Sequence, residues 1–80
     1  MNDAVVDIAS RVRQVIKSRY GRVDEQLMAT GIIDSLRAVD LALVLEKEFG
    51  LQADSFALSD MKTITSLSKR IGLASKEVTR

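Results

Sequence analysis

The chain has 80 residues, which is enough for one domain with one core and too few for a substrate cleft between two lobes. Apolar residues make up 46% of it and aromatic residues only 4%, so the core has to be built from aliphatic side chains. The net charge is +1, and the absence of cysteine and histidine excludes disulfides, thiolate or imidazole metal sites, a cysteine nucleophile and the commonest general base. This composition argues against an independent enzyme and predicts no metal site.

The sequence predicts neither a membrane span nor an export signal. No apolar run approaches the roughly 18 residues of a membrane span. The start, Met1 to Ala4, lacks the basic residues and apolar stretch of a secretory signal. We therefore expect a cytoplasmic protein, and a monomer.

Charge is distributed unevenly along the chain. Residues 31–61 hold six acidic side chains, which are Asp34, Asp40, Glu46, Glu48, Asp54 and Asp60, against two basic ones, Arg37 and Lys47. The segments on either side are basic. The middle of the chain is therefore where a basic partner would be attracted.

Residues 2–19 have apolar side chains at helical spacing, which predicts a first helix with its basic residues in water. The apolar positions are Val5, Ile8, Val12, Val15 and Ile16. Asn2 or Asp3 is placed to cap this helix. Residues 20–33 then form a long ordered loop, with four apolar residues that can hold it to the core: Leu27, Met28, Ile32 and Ile33.

The second helix is predicted to run from Asp34 or Ser35 to Phe49, with Gly50 as a left-handed cap. Its apolar residues form two stripes. One fits the core and consists of Ala38, Leu41, Ala42, Leu45 and Phe49. The other, the outer row, consists of Leu36, Val39 and Leu43. An exposed apolar row indicates a surface for a partner; the alternative is that the short third helix covers it.

Two further helices complete the prediction. Residues 54–58 form at most a short helix, with Phe56 and Leu58 turned inward. The last helix starts near Thr63, whose hydroxyl can cap it, and carries Ile64, Leu67 and Ile71 on one side. We expect one all-α domain over residues 1–80, with a core at 3–73 and a frayed tail at 74–80.

The segment from Gly31 to Leu36, GIIDSL, lies where the long loop meets the second helix. The first backbone N–H groups of a helix are unpaired and its dipole is positive there, so a phosphate on Ser35 would be stabilised. Asp34 places a carboxylate beside that hydroxyl. The alternative is that Asp34 and Ser35 only cap the helix. A second triplet, Asp54-Ser55-Phe56, lacks the glycine loop and the long following helix.

These residues resemble the modification site and second helix of acyl carrier proteins and peptidyl carrier proteins. The resemblance covers roughly residues 3–73 and the helical plan described above. Its motifs are the triplet Asp34-Ser35-Leu36, the following Val39-Asp40-Leu41, the ending Leu45-Glu46-Lys47-Glu48-Phe49 and the start Thr63-Ile64. It implies a four-helix carrier-protein bundle with three main helices and one short third helix.

The resemblance also implies a function. In that family a phosphopantetheinyl transferase attaches 4'-phosphopantetheine from coenzyme A to the serine, and the arm carries an acyl or aminoacyl group as a thioester. By resemblance Ser35 receives the arm and Asp34 is the preceding aspartate. The positions that face partner enzymes are Leu36, Arg37, Val39, Asp40 and Leu43. Partners are then the transferase, an acyl- or aminoacyl-activating ligase, and a downstream acyltransferase or synthase.

The sequence departs from the carriers of fatty acid synthesis, which are strongly acidic along the second helix. This chain has a net charge of +1, with Arg37 directly after the triplet and Lys47 late in the helix. Gln52-Ala53 replaces the usual Ile-Pro pair. The spacing Gly-x-x-Asp-Ser resembles D-alanyl carrier proteins and other stand-alone carriers. We therefore favour a discrete carrier of a specialised acyl or aminoacyl group.

Two other functions remain open at this point. The basic first helix could contact nucleic acid, but its basic residues are scattered over the polar face and no aromatic stacking set accompanies them, which favours a solvated face and no nucleic acid partner. A docking or scaffold domain that is not modified would use the same outer row. Only modification of Ser35 separates the second possibility from a carrier.

Overall fold

The fold consists of three α-helices and one short 3₁₀ helix. The computed structural model describes the backbone of residues 3–78 and the side chains of residues 8–74. The helices are α1 (Asp3–Tyr20), α2 (Ser35–Phe49), the 3₁₀ helix (Leu58–Met61) and α3 (Ile64–Val78). Within the described backbone, β pairing is limited to one antiparallel bridge between Gln26 and Thr63. The all-α prediction is confirmed. The predicted caps at Asn2 and Asp3 lie outside the described side chains.

One aliphatic cluster holds all four helices and the long loop together. Its buried members are Val12, Ile16, Leu27, Ile32, Ile33, Ala38, Leu41, Leu45, Met61, Ile64, Leu67 and Ile71. The first helix contributes two of them, α2 contributes three and α3 contributes three, as their apolar spacing predicted. Phe49 and Ala42 pack against this cluster while partly exposed.

Both ends of α2 are set by local signals that the sequence showed. Asp34 has an extended backbone, and its side chain accepts a hydrogen bond from the backbone N–H of Arg37. At the other end Gly50 adopts a left-handed conformation with φ 66°, and its N–H donates to the carbonyl of Glu46. Glycine adopts positive φ without steric penalty, so the helix ends at Phe49.

The start of α3 confirms the predicted cap. The Thr63 hydroxyl oxygen accepts a hydrogen bond of 2.9 Å from the Ser66 N–H, and the Thr63 N–H donates to the Ser66 hydroxyl. The helix continues past residue 73, because it is helical to Val78 and Ala74 is buried on the same face as Ile71. The frayed tail predicted at residues 74–80 stays a prediction. Residues 79–80 lie outside the described part.

The predicted third helix over residues 54–58 is wrong in position. The 3₁₀ helix covers Leu58–Met61. Asp54 adopts a left-handed conformation with φ 63°, which a right-handed helix cannot include. Leu58 then lies at the first position of the 3₁₀ helix and is 56% exposed, whereas Met61 is buried. The prediction that Leu58 turns inward is therefore wrong, and Met61 takes that place.

The loop between α1 and α2 is ordered, as predicted, because its backbone is tied to the start of α3. The N–H groups of Leu27 and Met28 both donate to the carbonyl of Lys62, at 2.9 and 3.3 Å. The N–H of Ile64 donates to the carbonyl of Glu25 at 3.0 Å. These bonds fix the segment that leads into α2.

Among the described helices, none is both long and apolar enough to cross a membrane.

Candidate functional site

Ser35 is the first residue of α2, and its side chain is exposed. The helix does not depend on Ser35 for its cap, because the Asp34 carboxylate oxygen accepts the Arg37 N–H at 2.8 Å. Asp34 is therefore the cap of α2 and Ser35 is not, so the interpretation that both residues cap the helix is wrong for Ser35; the place of Asp34 and Ser35 in a cofactor site stays a prediction. The Ser35 hydroxyl is exposed at a helix N-terminus, where the first N–H groups have no partner within the helix.

The loop reaches Ser35 through a well-anchored turn. Gly31 has φ 80°, a conformation that favours glycine, and its N–H donates to the carbonyl of Met28 at 3.1 Å. Ile32 and Ile33 are almost completely buried, and the Ile33 N–H donates to the carbonyl of Leu27. Two buried apolar residues thus lie directly before Asp34 and Ser35 and pack in the core, while Ser35 itself is exposed at the surface.

Ser55, in the second Asp-Ser triplet, has a different environment. It is half-buried in the segment between α2 and the 3₁₀ helix. Its hydroxyl donates to the carbonyl of Gln52, and its carbonyl accepts a hydrogen bond of 2.6 Å from the Arg70 guanidinium. A serine that is bonded within the chain and precedes no long helix is a poor acceptor for a group delivered by another enzyme.

The outer row lies on the surface of α2, within three turns of Ser35. Leu36 is 83% exposed, Val39 64% and Leu43 61%. The alternative that the short third helix covers this row is therefore wrong. That helix lies beside the row instead, and a groove of about 250 Å³ runs between them. Apolar side chains line most of the groove: Ala38, Val39, Ala42, Leu43, Phe56, Leu58 and Met61.

Arg37 contacts the chain itself. Its guanidinium donates a hydrogen bond of 3.0 Å to the carbonyl of Ile32, and it lies over the ring of Tyr20 at 5.4 Å from the centroid. Sequence reasoning placed Arg37 on a partner-facing surface and did not find Tyr20. No local signal links these two residues, because they meet only when α1 and α2 pack.

Asp40 is held in a similar way. The Arg19 guanidinium makes two hydrogen bonds to its carboxylate, at 2.7 and 2.9 Å, and the Tyr20 hydroxyl donates another at 2.8 Å. The bonds from Arg19, and then that from Tyr20, lower the pKa of Asp40 below its ordinary value of 3.8. Burial, assisted by the bond to Asp40, raises the pKa of Tyr20. Asp40 was also assigned to the partner surface, but its charge is compensated within the chain.

The other acids of α2 are also bonded within the chain. Glu48 pairs with Arg11 at 2.9 Å, and Glu46 accepts a hydrogen bond of 3.3 Å from the N–H of Ser55. The basic first helix thus lies against the acidic middle, and two of its arginines neutralise two carboxylates of α2. The surface of α2 is therefore less acidic than its sequence suggests, which weakens the expected attraction for a basic partner.

The Asp40 pair predicts a specific acid response. Because the pKa of Asp40 is lower in the folded state than in the unfolded chain, its contribution to stability is present above the ordinary value of 3.8 and is lost as the pH falls through the lowered pKa. Asp40→Asn should therefore flatten the dependence of stability on pH at the acid end. Urea unfolding between about pH 5 and pH 2 measures this.

The control for that experiment is Asp54→Asn, which removes one negative charge from an exposed loop residue. It should keep the acid dependence of the wild type. An Asp40→Asn variant that loses stability in acid as steeply as the wild type would show that the bonds from Arg19 and Tyr20 do not contribute.

An exposed serine that starts a long helix, beside an exposed apolar row, is the arrangement that the resemblance to carrier proteins implies. A family model described as "Phosphopantetheine attachment site" matches residues 3–71. Because the match covers most of the chain, the protein belongs to this family, and the resemblance to acyl and peptidyl carrier proteins is confirmed. Searches of curated proteins and of solved structures found no match.

Membership has two direct consequences. The family carries a covalently attached 4'-phosphopantetheine group, and it is not catalytic. The residues around Ser35 fit such a group, because a phosphodiester there would have an exposed oxygen for its bond and the positive end of α2 beside it. When bound, the arm would supply a thiol as the reactive group.

Proposed function

We propose that Ser35 is the attachment residue and that the protein carries an acyl or aminoacyl group as a thioester on the arm. In the attachment, the Ser35 oxygen bonds to the phosphorus of the phosphopantetheine part of coenzyme A. The bond from this phosphorus to the nucleotide part breaks, and the nucleotide leaves. The hydroxyl proton goes to a base of the transferase. The observation that carries this proposal is the exposed Ser35 hydroxyl at the start of a helix that Asp34 already caps.

The outer row is the proposed docking surface for the transferase, the activating ligase and the downstream acyltransferase or synthase. Leu36, Val39 and Leu43 expose apolar area that a monomer does not need, and they begin one residue after Ser35. A partner seated on this row would have the modified serine at its edge. Arg37 and Asp40 are less suited to direct contact, because both already bond within the chain.

The cargo is proposed to be a specialised acyl or aminoacyl group, as on discrete carriers of the D-alanyl type. Two observations support this. The net charge is +1, and the carboxylates of Asp40 and Glu48 are neutralised by arginines of α1. The chain therefore lacks the strongly acidic second helix that carriers of fatty acid synthesis present to their enzymes.

An unmodified docking domain is the second candidate, and the exposed outer row is the observation that favours it. Helix-in-groove recognition needs the same apolar spacing with or without an arm. The two functions differ only in whether Ser35 reacts.

The deciding experiment is intact mass spectrometry after incubation with coenzyme A, magnesium and a broad-specificity phosphopantetheinyl transferase. Wild type and Ser55→Ala should each gain one phosphopantetheine, and Ser35→Ala should gain none. Circular dichroism verifies that all three are helical. If several transferases leave the folded wild type unmodified, the carrier proposal fails and the docking domain is favoured. If Ser55→Ala alone is not modified, the arm is attached at the second triplet.

A further inference from the structure

Two arginines hold the turn that precedes Ser35. The Arg22 guanidinium donates a hydrogen bond of 2.8 Å to the carbonyl of Thr30, and the Arg37 guanidinium donates one of 3.0 Å to the carbonyl of Ile32. These carbonyls lie on either side of Gly31, which has φ 80°. The backbone of this turn is thus bound from two directions, by one side chain that precedes the turn and one that follows it in α2.

Arg37 is itself supported from α1. Its guanidinium lies over the Tyr20 ring, and the Tyr20 hydroxyl donates to Asp40 at 2.8 Å. Asp40 in turn accepts two hydrogen bonds from Arg19. A continuous series of contacts therefore runs from the end of α1, through Tyr20 and Arg37, to the carbonyl of Ile32, three residues before Ser35.

From these contacts we propose that Arg37, supported by Tyr20, is a positioning residue for the modification of Ser35, an inference that rests on the proposed function. The Ser35 oxygen has to approach the phosphorus of coenzyme A in line with the bond to the leaving nucleotide. A small displacement of this oxygen slows such a step strongly. Ser35 is the first residue of α2, and the turn before it connects this helix start to the loop, so a shift of the turn would move Ser35. Arg37 joins that turn to both α1 and α2.

The geometry needs arginine rather than a positive charge alone. A guanidinium is planar, so it can stack on an aromatic ring and still donate in its plane to a carbonyl. A lysine ammonium is a compact, strongly hydrated charge that does not stack in this way. Arg37→Lys therefore keeps any attraction for a transferase and weakens the positioning, which separates the two roles.

Steady-state kinetics of the transferase reaction test the proposal. Arg37→Ala and Tyr20→Leu should each lower kcat by about 10- to 100-fold with little change in KM. Arg37→Lys should resemble Arg37→Ala, and Tyr20→Phe, which keeps the ring, should remain close to wild type. Lys47→Ala is the control, because it removes one exposed positive charge from the same helix and should change kcat little.

A different pattern would overturn the proposal. In that pattern Arg37→Ala raises KM at constant kcat, Arg37→Lys has the KM of the wild type, and Tyr20→Leu behaves as the wild type. These three results together would show that Arg37 contacts the transferase directly. Tyr20→Leu removes a partly buried ring, so its helicity has to be verified by circular dichroism; Arg37→Ala and Arg37→Lys test the same contact without a loss of core volume.

Hydrogen exchange provides a second readout that needs no transferase. The N–H groups of Gly31 and Ile33 are bonded to the carbonyls of Met28 and Leu27, and they should exchange faster in Arg37→Ala and Tyr20→Leu but not in Lys47→Ala. Unchanged exchange would overturn the proposal while leaving a modified wild type, and hence the proposed function, intact. A wild type that is not modified would overturn both the proposed function and the positioning role of Arg37. Faster exchange of Gly31 and Ile33 in the variants would then show only that Arg37 stabilises the turn.

Discussion

Replacing Leu41 with alanine is expected to lower the free energy of unfolding by about 2 to 5 kcal/mol. Leu41 has no exposed surface and lies in the middle of the face of α2 that packs on the core. The loss combines the transfer of the missing atoms and the cavity they leave. A domain of this size has a total free energy of unfolding of roughly 4 to 12 kcal/mol, so the substitution removes a large part of it and can leave a measurable unfolded fraction. Urea denaturation measures the change.

The matched control is Leu43→Ala, the same substitution two residues further along the same helix. Leu43 is 61% exposed, so its truncation should change stability by less than about 0.5 kcal/mol. If Leu43→Ala destabilises the protein as much as Leu41→Ala, then the outer row is buried in solution and cannot be a docking surface. Comparable small losses for both variants would instead contradict the burial of Leu41.

A double substitution, Leu36→Ala with Val39→Ala, is expected to reduce kcat/KM for the modification of Ser35 by about 10- to 100-fold. The two side chains are the most exposed of the outer row and begin next to Ser35. Apolar residues that fill a partner's pocket commonly contribute 1 kcal/mol or more each when truncated, and about 1.4 kcal/mol corresponds to tenfold. The rate is measured by intact mass at several transferase concentrations, with the stability of the variant determined in parallel.

Leu73→Ala controls for a general effect of removing exposed apolar surface. Leu73 is 55% exposed and belongs to α3, outside the outer row. It should leave kcat/KM unchanged. Equal losses for Leu73→Ala and the double variant would point to a non-specific effect, and no loss in either would remove the outer row as the surface that the transferase binds.

The limits of α2 and the start of α3 could be predicted because their signals are local. Asp34 accepts a bond from a residue three positions later, Gly50 follows directly on the helix it ends, and Thr63 bonds to Ser66. The short third helix was misplaced because nothing in the local sequence showed that Asp54 would adopt a left-handed conformation. Such a conformation depends on how the whole segment packs between α2 and α3.

The candidate site divides in the same way. The glycine turn, the aspartate cap and the serine are consecutive, so their arrangement follows from the rules for helix N-termini. The contacts that Arg37 and Asp40 make within the chain could not be predicted, because their partners Tyr20 and Arg19 lie 17 to 21 residues earlier. Sequence reasoning could assign these two residues only by resemblance, as partner contacts.

The sequence alone determined the helical class, the core stripes of α2 and α3, the outer row and the family, because each depends on periodicity or on short motifs. Only the tertiary structure decided which carboxylates of α2 pair with arginines of α1. Arg19 meets Asp40 and Arg11 meets Glu48 across 21 and 37 residues. Whether two such side chains come within 3 Å depends on the packing of α1 against α2, and no local pattern in the chain encodes that distance.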